Sequence, residues 1–277
     1  MSITHIVTNS MFALVFASSA ANNTFAAGID TSLKADLYKI SQRRILFGHQ
    51  SVGANLLDGV MQLAKRSGVS IRINEVKTAS GVKPATLGHA FVAKNGFPLQ
   101  KLKNFNQAMG QTPSGLDIAF VKFCYVDISS KTDVKTLFSN YRATIKDLQA
   151  RNPATTFIHV TAPLTIVQGG FKGKLKRLLG RAPYGVIENI RREEYNTYLR
   201  KAYQNSEPIF DLARIESTAP DGTAVSTEWQ NLIVPAMSPI YTDDGEHLNT
   251  VGKLLAAREL ISILASIDQH VSDDPSH

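Results

Sequence analysis

The sequence predicts an α/β domain organised on a mainly parallel sheet of five strands, and three observations predict it. From residue 34 onward, short apolar runs alternate with longer stretches of helical periodicity. The run LDIAFVKFCYV, residues 116–126, is apolar almost without interruption, the composition of a strand covered on both faces. The chain of 277 residues is 43% hydrophobic, enough for one substantial core, and it carries no internal repeat. A single domain over residues 34–270 is therefore expected.

Taken in order, RILF (44–47) opens the sheet. A helix over 52–66 follows, with Ala54, Leu56, Leu57, Val60, Met61 and Leu63 on its apolar face. SIRINEV (70–76) alternates strictly and gives the second strand. Residues 78–115, with Gly81, Pro84, Gly88, Asn95, Gly96 and Pro98, read as one long irregular stretch, and loops of that length in a compact domain are usually functional. The strand at 116–126 is the central one. A helix over 131–151 ends before Asn152 and Pro153. TTFIHVTAPL (155–164) is the fourth strand and exits into a basic loop, NIRREEYNTYLRKAY (189–203) is a helix with Ile190, Tyr195, Tyr198 and Leu199 near one face, and PIFDLA (208–213) is the fifth strand. The last helix covers about 250–267.

Ahead of the domain, MFALVFASSAA (11–21) has the apolar character of a signal-peptide core, with small residues at Ser18 and Ala20 or at Thr24 and Ala26 for cleavage. No Lys or Arg occurs in the first 33 residues, so the usual basic start is missing. An export signal over residues 1–27 is expected, delivering a secreted or periplasmic protein, and no run approaches the roughly 20 apolar residues that span a bilayer.

Charge narrows the partners. The formal net charge is +7, and five of the cations, Lys172, Lys174, Lys176, Arg177 and Arg181, fall in FKGKLKRLLGR (171–181), which has no acid. That segment is either a solvated loop or a site for an anionic ligand such as a glycan. Nucleic acid is a poor fit, because the charge is local and lacks interleaved stacking aromatics. The one cysteine, Cys124, excludes an intrachain disulfide and sits among apolar neighbours as an inert thiol.

Chemistry concentrates where loops leave the carboxyl ends of parallel strands. In FGHQSVGANLLDGV (47–60), Ser51 stands at a strand-to-helix corner. A serine hydroxyl is a weak nucleophile and needs a base in reach and a group to orient that base. YTDDGEHLNTVG (241–252) offers both: with Asp244 and His247 three apart before a helix, the carboxylate can hold one ring nitrogen while the other faces the serine. Metal ligation by His49, His247 and Asp244 is the alternative reading of the same side chains, and it leaves Ser51 without a role.

These blocks resemble the SGNH hydrolases, also called the GDSL esterases and lipases, over most of residues 43–268. RILFGHQSVG is similar to the family's strand and nucleophile turn, DIAFVKFCYVDI to the central strand ending in G-x-N-D, and DDGEHLNTVGK to the terminal D-x-x-H-x-N block. The resemblance implies a flavodoxin-like three-layer α/β/α sandwich and ester hydrolysis without a metal or organic cofactor. It makes Ser51 the nucleophile, His247 the base and Asp244 its orienter. Four positions depart from the pattern: His49 and Gln50 replace the family's Gly-Asp, Cys124 takes the place of its glycine, and Val126 that of its oxyanion asparagine; in the central block only Asp127 is kept. Valine cannot donate a hydrogen bond, and loss of one such donor costs about 3–4 kcal/mol of transition-state stabilisation. Candidate replacements are the N–H of Ser51, the N–H of Gly81 or Gly96, and the side chains of His49, Gln50 or Asn95. KNGFPLQKL (94–102) resembles the segment that supplies the family's second-block glycine, which favours Asn95 and Gly96. His49 either serves the substrate or fills a polar corner, while His89 and His159 are expected to be structural. The expected function is cleavage of an O-acyl or acetyl ester of a carbohydrate or small molecule. A transferase on the same acyl-enzyme and a catalytically impaired glycan binder are the alternatives, and retention of Ser51, Asp244 and His247 together speaks against the last.

Overall fold

A computed structural model describes residues 20–268. The chain enters as helix α1 (Ala20–Ser41) and turns into β1 (Arg44–His49), α2 (Ser51–Arg66), β2 (Ile73–Glu75) and β3 (Thr86–Phe91). It continues through α3 (Pro98–Met109), β4 (Ile118–Val121), α4 (Val134–Arg151), β5 (Thr156–Phe157), β6 (His159–Val160) and α5 (Gly170–Leu178). Helix α6 (Val186–Tyr203), β7 (Ile209–Phe210), α7 (Leu212–Glu216), the hairpin strands β8 (Ser226–Trp229) and β9 (Leu232–Pro235), and α8 (Thr250–Ser266) complete it. The export signal expected over residues 1–27 lies outside the described residues up to residue 19; from Ala20 the stretch belongs to α1.

Five strands form one sheet in the order β2-β3-β1-β4-β5, with every pairing parallel. Successive side chains of β1 point to opposite faces. Ile45 and Phe47 enter a core shared with α1, α2 and α8, whereas Leu46 enters a second core shared with α3, α4 and α6. The result is a three-layer α/β/α sandwich. On α1 the inward residues Leu33, Leu37 and Ile40 follow the helical repeat that one buried stripe requires.

Several elements differ from the sequence expectation. Residues 78–115 are not one loop, because they contain β3 and α3. Strand β3 (TLGHAF) does not alternate, being buried between β2 and β1, and its Gly88 admits no side chain: a Cβ there would lie 2.6 Å from Val82. Helix α3 announces itself by Pro98 in its first turn and by Leu102, Phe105 and Met109 facing inward. Strand β2 keeps only three residues at the sheet edge, and β1 rather than β4 is the middle strand. The run 155–164 breaks at Ile158, so that β6 leaves β4 and pairs with β7. The basic segment is helix α5, not a loop.

On α2, Ala54 and Met61 are exposed, and Val52, Gly53, Gly59 and Ala64 are buried with the expected Leu56, Leu57, Val60 and Leu63. The reason is how closely α2 approaches α8. A Cβ on Gly59 would stand 2.5 Å from the Lys253 carbonyl oxygen and 2.7 Å from Ala257, and Lys253 Nζ reaches Asp58 at 2.5 Å beside it. The middle of α2 is thereby fastened to the first turns of α8. Gly59→Val is expected to lower the unfolding free energy by about 1–3 kcal/mol in urea titration, because the helices must part, while Ala54→Ser on the exposed face is expected to leave it nearly unchanged.

Candidate active site

Ser51 is the first residue of α2 and is exposed. The residue before it, Gln50, stands where a cap would, yet its side chain donates to the Val92 carbonyl and makes no cap. The positive end of the α2 dipole is thus left open beside the Ser51 hydroxyl, which has no hydrogen-bond partner among the described residues. The corner is pinned from both sides: Val92 N–H donates to His49 O at 3.2 Å, and Lys122 N–H to Gly48 O at 3.0 Å.

The second part of the site is the loop before α8. An antiparallel bridge between Thr242 and Leu248 closes it, and Gly245, at φ +87, turns it under Ile166 where a side chain would collide. Asp244 Oδ1 accepts the N–H groups of Glu246 and His247, both at 2.8 Å, while Oδ2 faces His247 Nδ1 at 2.8 Å. Those two backbone donors, with the imidazole, hold the carboxyl well below the usual carboxylate range, so it stays ionised. Nδ1–H donation to Asp244 fixes the tautomer and leaves Nε2 as the basic nitrogen, with no hydrogen-bond partner among the described residues. Asn249 caps α8 by accepting from Val251 and Gly252 N–H, and donates to Ile240 O, which makes it the clamp of this loop.

The Ser51 corner and this loop share the carboxyl edge. β4 lies beside β1, and the turn after β4 places Tyr125, whose ring meets His247 edge-on at 5.6 Å. No hydrogen bond joins Ser51 to His247. Val126 is exposed on this turn and offers no donor.

Sequence alone missed the groups that hold these parts. Asp127 is buried and accepts from Gly96 N–H at 2.7 Å, Cys124 N–H at 2.6 Å and Lys101 Nζ at 2.6 Å. It is a structural hub, both of its oxygens being spent on these donors. Gly96 spends its N–H on that hub and so is not an oxyanion donor. Asn95 Oδ1 accepts from Lys101 Nζ at 2.7 Å, which leaves the Nδ2 end of an exposed amide free to donate. Gly81 donates to Thr78 O, and its neighbour Val82 binds Arg44 at the opposite end of β1. Tyr125 and Tyr184 hydroxyls both donate to Glu246, at 2.7 and 2.8 Å, and buried Arg192 donates to Tyr125 O at 3.0 Å. A cavity of about 370 Å³, lined by Ile166, Gln168, Tyr184 and residues 244–246, adjoins this loop. A larger one of about 700 Å³ lies between α7 and α8, and neither Ser51 nor His247 lines it.

His49 is fully buried. Nδ1 meets Gln50 O at 2.8 Å, Nε2 meets His89 at 3.1 Å, and the ring stacks on Phe47. Both nitrogens are spent, so it neither reaches substrate nor groups with Asp244 and His247 around a metal. Its ring fills the space beneath α2, where a Cβ on Gly53 would stand 2.4 Å from the ring's Cγ. His89 is its partner, and His159 is held between the Tyr141 hydroxyl and Glu207. Of the basic residues, Lys172, Lys174 and Arg181 are exposed on or beside α5, while Lys176 and Arg177 are half-buried.

No family model and no curated protein sequence matches the chain. Among solved structures, it is similar to a GDSL-like lipase from Bacteroides thetaiotaomicron, at 13% identity over 88% of this chain and 97% of that one, with a TM-score of 0.49. It is also similar to a Clostridium thermocellum family 3 carbohydrate esterase, at 13% identity over 80% and 96% with a TM-score of 0.44. A third is the lipopolysaccharide acetyltransferase periplasmic domain of Salmonella ser. Paratyphi A, at 12% identity over 88% and 96% with a TM-score of 0.42. At these identities and overlaps the activity is a matter for this chain's own side chains.

Burial, with the nearby His89, Lys122 and Lys101 charges, pushes His49 down to about 4 against the hydrogen bond to Gln50. The unfolded chain binds this proton more readily, so the stabilisation is complete above the unfolded value of 6.5 and is lost as pH falls through about 4. Urea unfolding between those limits is expected to show a fall of up to about 3 kcal/mol from this group, and His49→Gln is expected to flatten the profile.

Proposed function

We propose that the chain is an ester hydrolase of the SGNH type, with Ser51 as nucleophile, His247 as base and Asp244 as the group that orients it. The observation that carries the reading is the Asp244 to His247 hydrogen bond of 2.8 Å, made by a carboxylate locked on two backbone N–H groups, at the sheet edge that also carries an exposed Ser51 whose hydroxyl has no partner among the described residues. In the proposed reaction, Ser51 Oγ attacks the ester carbonyl as its proton passes to His247 Nε2. The alcohol leaves with that proton, giving a Ser51 acyl-enzyme. Water, deprotonated by the same nitrogen, then releases the acid and restores Ser51. The Ser51 hydroxyl and Nε2 close to hydrogen-bond distance when substrate fills the corner, since such contacts tighten in the Michaelis complex.

The oxyanion forms over the open start of α2. Two donors suit it: the Ser51 N–H, helped by the helix dipole, and Asn95 Nδ2, aimed by the grip of Lys101 on its oxygen. Asn95 thereby takes the part that Val126 cannot. The substrate class is an O-acyl ester, acetyl above all, of a carbohydrate or small molecule, and the apolar run at 11–21 directs the protein to export.

With p-nitrophenyl acetate, the wild-type chain is expected to turn over, and Ser51→Ala and His247→Ala to fall to the buffer rate. Asn95→Ala is expected to lower kcat about 100- to 1,000-fold with KM little changed, because its contact strengthens only as charge develops. Undiminished turnover in Ser51→Ala ends this reading.

A further inference from the structure

The segment between β6 and α6 leaves the body of the protein and returns to it. Its neck is closed by Gln168 N–H donating to Tyr184 O at 3.0 Å, and α5 fills the excursion. One side of α5 faces the body. Gly173 lies against the Gln168 carbonyl, which a Cβ would meet at 2.3 Å. One turn on, Arg177 donates to Glu228 O at 2.6 Å and Thr227 Oγ1 at 2.5 Å, with its guanidinium 5.8 Å over Trp229.

The other side carries Phe171, Leu175 and Leu178 at the i, i+4, i+7 spacing of one helical stripe, with Leu179 beside them. They are 79%, 44%, 84% and 61% exposed. A surface helix ordinarily turns its apolar stripe inward, and here it points to water. At 100° per residue, Lys172 and Lys174 fall at the two edges of the stripe. The whole stretch 171–181 holds five cations and no acid. A glycan would answer the charge but give four apolar side chains nothing to enter. An anionic bilayer answers both, taking apolar side chains at the acyl boundary and cations among its phosphates.

We infer that α5 docks the protein on a bilayer containing anionic phospholipid, Phe171, Leu175, Leu178 and Leu179 entering it and Lys172, Lys174 and Arg181 meeting its phosphates. Gly169, immediately before α5, lines the same cavity as Asp244 and Glu246, so the start of the docking helix adjoins the candidate active site. The docking holds whether or not Ser51 is a nucleophile.

The test is co-sedimentation of the full chain with vesicles of phosphatidylcholine alone or mixed with phosphatidylglycerol. Wild type is expected to pellet with the mixed vesicles only, less so at high salt. Phe171→Ser with Leu178→Ser, and separately Lys172→Glu with Lys174→Glu, are expected to bind at least about tenfold more weakly. The apolar pair is so exposed that its replacement is expected to leave the thermal midpoint and p-nitrophenyl acetate turnover unchanged. Wild type remaining in the supernatant, equal binding to both vesicle types, or full binding by either double variant would overturn the inference. So would self-association that Phe171→Ser with Leu178→Ser abolishes while vesicles bind nothing, which would make the face a protein contact. Vesicle binding without ester turnover would refute the hydrolase reading and leave this one standing.

Discussion

A carboxylate sealed from water needs charge and hydrogen bonds around it, and the carboxyl edge of this sheet is arranged to supply them to Asp127. Gly96 comes from the loop after β3, Cys124 from the turn after β4 and Lys101 from α3, all within 2.7 Å of its two oxygens. A buried ion pair adds little net stability over apolar packing, yet removing one partner strands the other at a cost of about 3–5 kcal/mol. Its consequence here is positional. The two loops that flank Ser51 are fastened to one point, and with them Asn95 on one side and Tyr125, which touches His247, on the other.

The Ser51 corner gives up local stability that the surroundings restore. An uncapped helix start forgoes about 1 kcal/mol, and Gln50 forgoes it by turning to Val92. Packing compensates: His49 beneath the first turn and the glycine seam with α8 hold α2 where its open N–H groups face the site. The Asp244–His247 loop is built the opposite way, since nearly every polar atom of Asp244 and Asn249 is spent within the loop itself. One side of the site is thus positioned by the core and the other by its own hydrogen bonds.

What the sequence disclosed follows this division. The placement of Ser51 at a helix start and the pairing of Asp244 with His247 were legible because both are local, and α4, α6 and α8 because their periodicity is long. Strand β3 was hidden since a strand buried inside a parallel sheet need not alternate, and Gly88 and His89 interrupt its apolar run. Pro98 and the spacing of Leu102, Phe105 and Met109 were a readable signal for α3, overridden by the loop-like residues before it. The spent N–H of Gly96, the burial of His49 and the hub at Asp127 depend on contacts between segments far apart in the chain, and no spacing encodes them. The basic segment was read for its charge, whereas its apolar side chains acquire meaning only once α5 is seen to turn them outward.

The central claim is that the open start of α2 presents an activated Ser51. Its most direct test is intact-mass analysis and peptide mapping after exposure of the purified chain to a fluorophosphonate, with His247→Ala alongside. The account predicts a single adduct on Ser51 that forms far more slowly without His247. An unlabelled but folded wild type, or an adduct at any other residue, would contradict it.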